Sequence, residues 1–217
     1  MERKLSVHIY FIALILSALV FAAGVAIGNY LDDYNRAKIS DDISKTHERL
    51  ASVQILSLME DNSSAYCPLY LSNLHEIDTE VEDTGYKLTF LENVKMVRDD
   101  ELKKKYFVLE GESYLLSKKA KQLCNDSSVL VINFYTNNNC PDCVALGNNI
   151  ISARDALSSQ NVSLRLFSFD GTIGSPIADS LKNQYNISTY PSLIINEKVY
   201  SGPVDSDHIK SLVRDSR

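Results

Sequence analysis

Two cysteines, Cys140 and Cys143, stand three positions apart in NNNCPDCVALGNN, shortly after the run VLVINFY. Such a pair has three readings: a dithiol that exchanges with disulfides, half of a zinc site, or a spacing without chemistry. Zinc needs two further ligands, and the chain has no second Cys-x-x-Cys and no histidine pair nearby. Neither a metal nor a cofactor is therefore expected. Pro141 suits the first turn of a helix, which makes Cys140 the N-cap and sets Cys143 on the same face one turn in. Unpaired backbone N–H groups and the positive end of the helix dipole favour a thiolate there. The thiolate is the attacking species in disulfide exchange. Cys140 is thus the candidate nucleophile and Cys143 the candidate resolving thiol. Asp142 lies between them, and its carboxylate opposes negative charge on Cys140. That points toward a reductase or isomerase rather than a strong oxidase.

The elements that must hold this pair follow from periodicity. VLVINFY is a short apolar, β-branched run and reads as a buried strand, with a helical stretch after the cysteines to about Leu157. VSLRLFSFD alternates as a second strand, and SPIADSLKNQYN reads as a helix opening on Ser-Pro. SLIIN and KVYSG flank Asn196-Glu197 as a strand pair, and DSDHIKSLVR closes as a helix capped by Ser206 or Asp207. The order is β-α-β-α-β-β-α.

VLVINFYTNNNCPDCVALG and YNISTYPSLIINEKVYSG, in that order, resemble a thioredoxin-fold oxidoreductase of the thioredoxin and protein disulfide isomerase type. The resemblance covers residues 127–217 and none of the region before them. It implies a central mixed sheet flanked by helices and thiol–disulfide exchange at Cys140 and Cys143. It also implies a cis bond before Pro191, with the Tyr190 backbone pairing with the substrate chain. Pro141, Asp142, Tyr190 and Pro191 then support the site. Two departures stand out: Asn139 replaces the usual Trp before the first cysteine, and Asn133 occupies the place of a buried acid. An amide cannot take a proton from Cys143, so proton transfer must be slower or use water.

Residues 35–125 read as helix. Ile39, Ile43, Leu50 and Val53 recur at helical spacing; Tyr70, Leu74, Ile77, Val81, Leu88 and Leu91 step by threes and fours; Leu102, Tyr106, Leu109, Leu116, Ala120 and Leu123 repeat the pattern. The last two stripes suggest a long antiparallel hairpin turning near residues 96–99. Arms of nearly equal length bring Cys67 and Cys124 together, so a structural disulfide is expected, with two buried thiols as the alternative. The run Lys103–Lys105 reads as a solvated helix face.

Ile9 to Ile27 carries no charge and matches the ~20 residues that cross a bilayer. Arg3 and Lys4 precede it and Asp32 and Asp33 follow it, which keeps the N-terminus cytoplasmic and the remainder outside. A cleaved signal peptide ending near FAAG is the alternative, but the apolar run exceeds a usual signal core. Export favours disulfides over metal. The sequons at Asn62, Asn125, Asn161 and Asn186 fit export, though glycosylation does not follow from them. A formal net charge of −6 with scattered basic residues excludes nucleic acid as a partner.

The expected architecture is an α/β thioredoxin-like domain over 126–217. A cytoplasmic tip and transmembrane anchor over 1–34 and an α-helical hairpin stalk over 35–125 precede it. The expected function is membrane-anchored, extracytoplasmic exchange on protein cysteines. Its partners are thiols and disulfides of exported proteins, lipid around the anchor and, as a candidate, a membrane electron donor. The alternative is a redox-inactive, membrane-tethered binding module that recruits a partner through its hairpin. A reporter fused to the C-terminus should be active only outside the cytoplasm; cytoplasmic activity would overturn the orientation.

Overall fold

The computed structural model describes residues 7–59 and 66–216. Arg3, Lys4 and Asn62 lie outside them. The chain divides into two compact units, Met1–Asp41 and Asp42–Arg217. Helix α1 spans Val7–Met59. In the first unit it presents exposed apolar side chains from Ile9 to Ile27, including Leu14, Leu19 and Phe21. It carries a window of mean hydropathy 2.6, none of it buried, long and apolar enough to cross a membrane. Such a helix is compatible with an anchor.

In the second unit, the rest of α1 buries Ile43, Leu50 and Val53. Arg49 pairs with Glu76 and Glu80 of α2 (Tyr66–Asn93), and Lys87 of α2 pairs with Asp42. The buried residues of α2 are Tyr70, Leu74, Ile77, Val81, Thr84, Leu88 and Leu91, the alternating step that keeps one helix face on a partner. Helix α3 (Asp100–Cys124) returns antiparallel to it, capped by Asp99, whose side chain accepts from the Leu102 N–H. At the open end Tyr70 donates to the Leu116 carbonyl, and a Cys67–Cys124 disulfide closes the hairpin.

Beyond α3 the elements alternate: β1 (Val129–Tyr135), α4 (Pro141–Ser158), β2 (Leu164–Asp170), α5 (Pro176–Tyr185), β3 (Ser192–Ile195), β4 (Lys198–Ser201) and α6 (Ser206–Arg214). The strands form one mixed sheet in the order β2-β1-β3-β4. Strand β1 runs parallel to β2 and antiparallel to β3, and β3 is antiparallel to β4. Asn196 and Glu197 join β3 to β4, both with positive φ, as a two-residue hairpin turn requires. The cap of α6 differs from expectation: it is Asp205, whose carboxylate accepts from the His208 N–H at 2.8 Å. Extended backbone at Asp205 starts the helix one residue early, so Ser206 and Asp207 lie inside the first turn.

Alternation along β1 divides the core. Val129 and Val131 join Leu146, Ile150 and Leu157 of α4 and Ile209 and Val213 of α6 on one face. Phe134 packs on Phe169, which meets Phe107 of α3 edge-on, on the other. Helix α3 comes close to α5 at Gly111, where any Cβ would run into Ile177. Polar contacts also run down the α3–β2 seam. Arg165 pairs with Asp78 and Asp126 and donates to Ser117; Glu110 accepts from the Ser168 N–H; Lys103 lies near Asp170.

The disulfide joins residues 57 apart in sequence, and closing a loop of that size stabilises the folded chain by about 4 kcal/mol in the chain-entropy account. Cys67→Ala with Cys124→Ala should lower the unfolding free energy by about that amount. Urea titration with the Cys140–Cys143 pair left oxidised would measure it, and an unmoved midpoint would exclude this role.

Candidate functional site

Because β1 and β2 are parallel and β3 is antiparallel to them, three loops meet at one end of the sheet. They are residues 136–140 after β1, 171–175 after β2 and 188–191 before β3. The register fixes the last of these, since Ser192 pairs with Phe134 near the end of β1. Cys140 is the N-cap of α4 with Pro141 next to it, and its Sγ accepts from the Cys143 N–H at 3.1 Å. The two sulfurs form a disulfide. Cys140 is half-buried, Pro141 and Asp142 are exposed, and Cys143 is only 7% exposed. An attacking thiol therefore reaches Cys140 more readily than Cys143. On reduction, the helix terminus offers the outer sulfur N–H donors and a favourable dipole.

The Tyr190–Pro191 bond is cis, and Pro191 is buried with its carbonyl accepting from the Gly202 N–H at 2.8 Å. Tyr190 points its hydroxyl away from the loop and donates to the Gly171 carbonyl at 2.8 Å; Lys182 donates to the same oxygen. A Cβ at position 171 would overlap the Tyr190 ring. Glycine is the residue that lets this tyrosine lie on the neighbouring loop.

Asn133 is 6% exposed, and its Oδ1 is buried without a hydrogen-bond partner. It alternates with Val131 and so faces the α4 side of the sheet. A buried acid, Glu110, lies on the opposite face. Glu110 of α3, 4% exposed, accepts from the Ser168 N–H and from the Tyr106 hydroxyl. Burial raises its pKa to about 8, against the lowering effect of those two bonds. Periodicity alone did not mark Glu110, although it falls on the buried stripe of α3, four residues after Tyr106.

Lys103 corrects the reading of Lys103–Lys105 as a solvated face. Its side chain is 4% exposed, donating to Glu92 at 2.9 Å and lying over the Tyr135 ring. It sits on the stripe that packs against the sheet, where only a partner carboxylate lets an ammonium remain. Lys104 does lie toward solvent, paired with Glu101. Among the described residues no three His, Cys, Asp or Glu side chains cluster as a metal site would require.

No protein-family model matches the chain. No curated protein is detectably similar to it in sequence. Among solved structures it is similar to chloroplastic thioredoxin z, at 13% identity and a TM-score of 0.36, over 46% of this chain and 88% of that one. A likeness of that size carries no argument about activity. The topology stands on its own strand order: a parallel β1–β2 crossover, an antiparallel β3–β4 hairpin, the Cys140–Cys143 disulfide at the N-terminus of α4 and a cis-proline loop at the same sheet end. This is a thioredoxin-like arrangement.

Glu110 makes stability depend on pH with a definite sign. The folded carboxyl keeps its proton up to about pH 8, whereas the unfolded one loses it near its ordinary value of 4.5. Between those values the unfolded chain binds fewer protons, so stability falls as pH rises. It falls by about 1.4 kcal/mol per pH unit for one such group. Glu110→Gln keeps an amide oxygen as acceptor for the Ser168 N–H and turns its NH2 toward Tyr106, whose hydroxyl oxygen then accepts. It should remove that slope from unfolding free energies measured between pH 5 and 8 (a window set by the shift). An unchanged slope would show that Glu110 is ionised in the folded protein.

Proposed function

We propose that the protein is a membrane-anchored thiol–disulfide oxidoreductase acting on protein cysteines. The observation that carries this reading is the Cys140–Cys143 pair at the N-terminus of α4. Its outer sulfur is accessible, its inner sulfur is 7% exposed, and the Pro191 loop closes the same end of the sheet. In the reduced protein the Cys140 thiolate attacks one sulfur of a substrate disulfide, forming a mixed disulfide and releasing a substrate thiolate. Cys143, deprotonated, then attacks Cys140 Sγ. The Cys140–Cys143 bond forms, the mixed disulfide breaks, and the second substrate thiol leaves. Two electrons pass from the dithiol to the substrate, and a membrane electron donor is the proposed source of their replacement.

Asp142 opposes a Cys140 thiolate, which makes the couple more reducing. Its exposure screens that effect, so the shift is small. Asn133 is buried on the α4 side of the sheet and its amide cannot accept a proton, so water is the proposed acceptor for the Cys143 proton. We assign the remaining roles by segment: anchoring and a cytoplasmic tip to 1–34, a helical stalk to 35–125, and exchange outside the cytoplasm to 126–217. The Tyr190 backbone, beside Pro191, is the proposed seat for the chain flanking the substrate cysteine.

Cys143→Ser should leave Cys140 able to attack but nothing to release the product, so mixed disulfides accumulate on non-reducing gels. Cys140→Ser should abolish both trapping and the reduction of insulin disulfides. If the first variant traps nothing and the intact protein reduces no disulfide, the tethered binding module replaces this reading.

A further inference from the structure

Two residues of the loop before Cys140, Thr136 and Asn137, are bonded to groups outside it, and both sets of bonds lead back to one side chain. Lys103 is buried within α3 and donates to Glu92, the penultimate residue of α2. The same Glu92 oxygen accepts from Asn137 Nδ2 at 3.3 Å. A second route leaves Lys103 toward Asp170, 3.8 Å away and fully buried at the end of β2. Asp170 Oδ2 has no hydrogen-bond partner, so the ammonium is its compensating charge. Asp170 Oδ1 accepts from both the N–H and the hydroxyl of Thr172, at 3.0 and 2.6 Å. The Thr172 hydroxyl faces that of Thr136 at 3.2 Å, and Thr136 Oγ1 accepts from the Asn138 N–H at 3.1 Å.

Proton counting orients this second route. Each hydroxyl has one proton, and Thr172 gives its own to Asp170. Thr136 must then donate to Thr172 and accept from Asn138. Every bond from the Asn138 N–H to the Asp170 carboxylate points the same way, and the carboxylate sets that direction. Lys103 in turn neutralises the carboxylate where water does not reach it. The segment from Asp170 to Thr172 also receives Tyr190 at Gly171, so one short stretch touches both loops of the site.

We infer that Lys103 is a positioning residue for the dithiol, tying the closed end of the helical hairpin to residues 136–139 by two separate routes. The inference rests on the exchange function proposed above. A buried cluster of one ammonium and two carboxylates is a poor device for stability alone, because apolar packing of the same volume usually does as well. Its bonds instead end on the loop that carries Cys140. Asn139, the last residue before the cysteine, has positive φ, and its N–H donates to the Asn137 carbonyl. Holding Thr136 and Asn137 from outside, with Asn138 bonded to Thr136, therefore holds the approach to Cys140 Sγ.

The test uses the full chain in detergent with two probes: iodoacetamide alkylation of reduced Cys140, and reduction of insulin disulfides. Asn137→Ala and Thr136→Val each cut one route at its loop end without burying a charge. Each alone should slow insulin reduction less than about 1.5-fold, because the other route remains, so independent losses would multiply to little more than about twofold. Together they should slow it about tenfold, well inside the ~100-fold that a ~1 Å misplacement can cost. The loss should fall on kcat, with KM little changed. Lys103→Met should match the double variant and Lys103→Arg should recover most of the rate. If Lys103→Met does not fold, the loop-end double variant decides. A folded double variant with intact kcat and intact alkylation overturns the inference. Losses that add rather than compound also overturn it, because two routes to one loop must be non-additive. If the wild-type protein reduces no insulin but alkylation still falls in the double variant, the positioning stands and the exchange function fails.

Discussion

Strand β1 pairs along both edges, parallel to β2 and antiparallel to β3, and the site depends on that double pairing. The parallel partner sends its following loop to the same end of the sheet as the loop after β1. The antiparallel partner brings its preceding loop there instead. One register therefore gathers Cys140, Gly171 and Pro191, which are separated widely in sequence. A slip of one residue between β1 and β3 would move Leu193 and Ile195 out of the core they share with α4. The buried face thus enforces the register, and the register places the chemistry.

With β1 central, β2 is an edge strand, and its outward N–H and C=O groups need covering. Helix α3 does this with a carboxyl as well as apolar side chains. Glu110 reaches the Ser168 N–H, while Phe107 and Tyr114 lie on Phe169 and Phe167. An unpaired buried N–H costs ~1–3 kcal/mol, comparable to the cost of burying a neutral acid with both oxygens bonded. Keeping Glu110 protonated is the cheaper solution, and burial is what keeps it so. Lys103 and Arg165 work differently, as charges matched to carboxylates at the two ends of the same seam. The helical hairpin and the sheet are consequently joined by polar contacts whose partners come from three or more elements.

Much of this was legible in the chain. The stripe from Tyr70 to Leu91 marks one helix face, and the repeat from Leu102 to Ala120 marks another, because burial against a neighbour selects every third or fourth position. The near-equal arms put Cys67 beside Cys124. Pro141 after Cys140 marks a helix start, and Asn196-Glu197 marks the β3–β4 turn. Lys103 was misread because a run of three lysines has no intrinsic direction. Only the packing of α3 decides that Lys103 turns inward and Lys104 outward. The cap of α6 was displaced by one or two residues for a related reason: Asp205, Ser206 and Asp207 are all competent caps, and backbone conformation chooses among them.

The sequence by itself determined the periodic elements, the apolar N-terminal helix and the dithiol at a helix start, since each depends on neighbours within a turn or two. Tertiary structure decided which polar side chains are buried and what they hold. Asp170, Glu92 and Glu110 are ordinary acids in the chain. They matter because strand pairing and the return of α3 carry them away from water toward partners dozens of residues distant. Desolvation penalises a charge or an unpaired donor wherever it is buried, and which groups incur that penalty is settled only when the chain closes on itself.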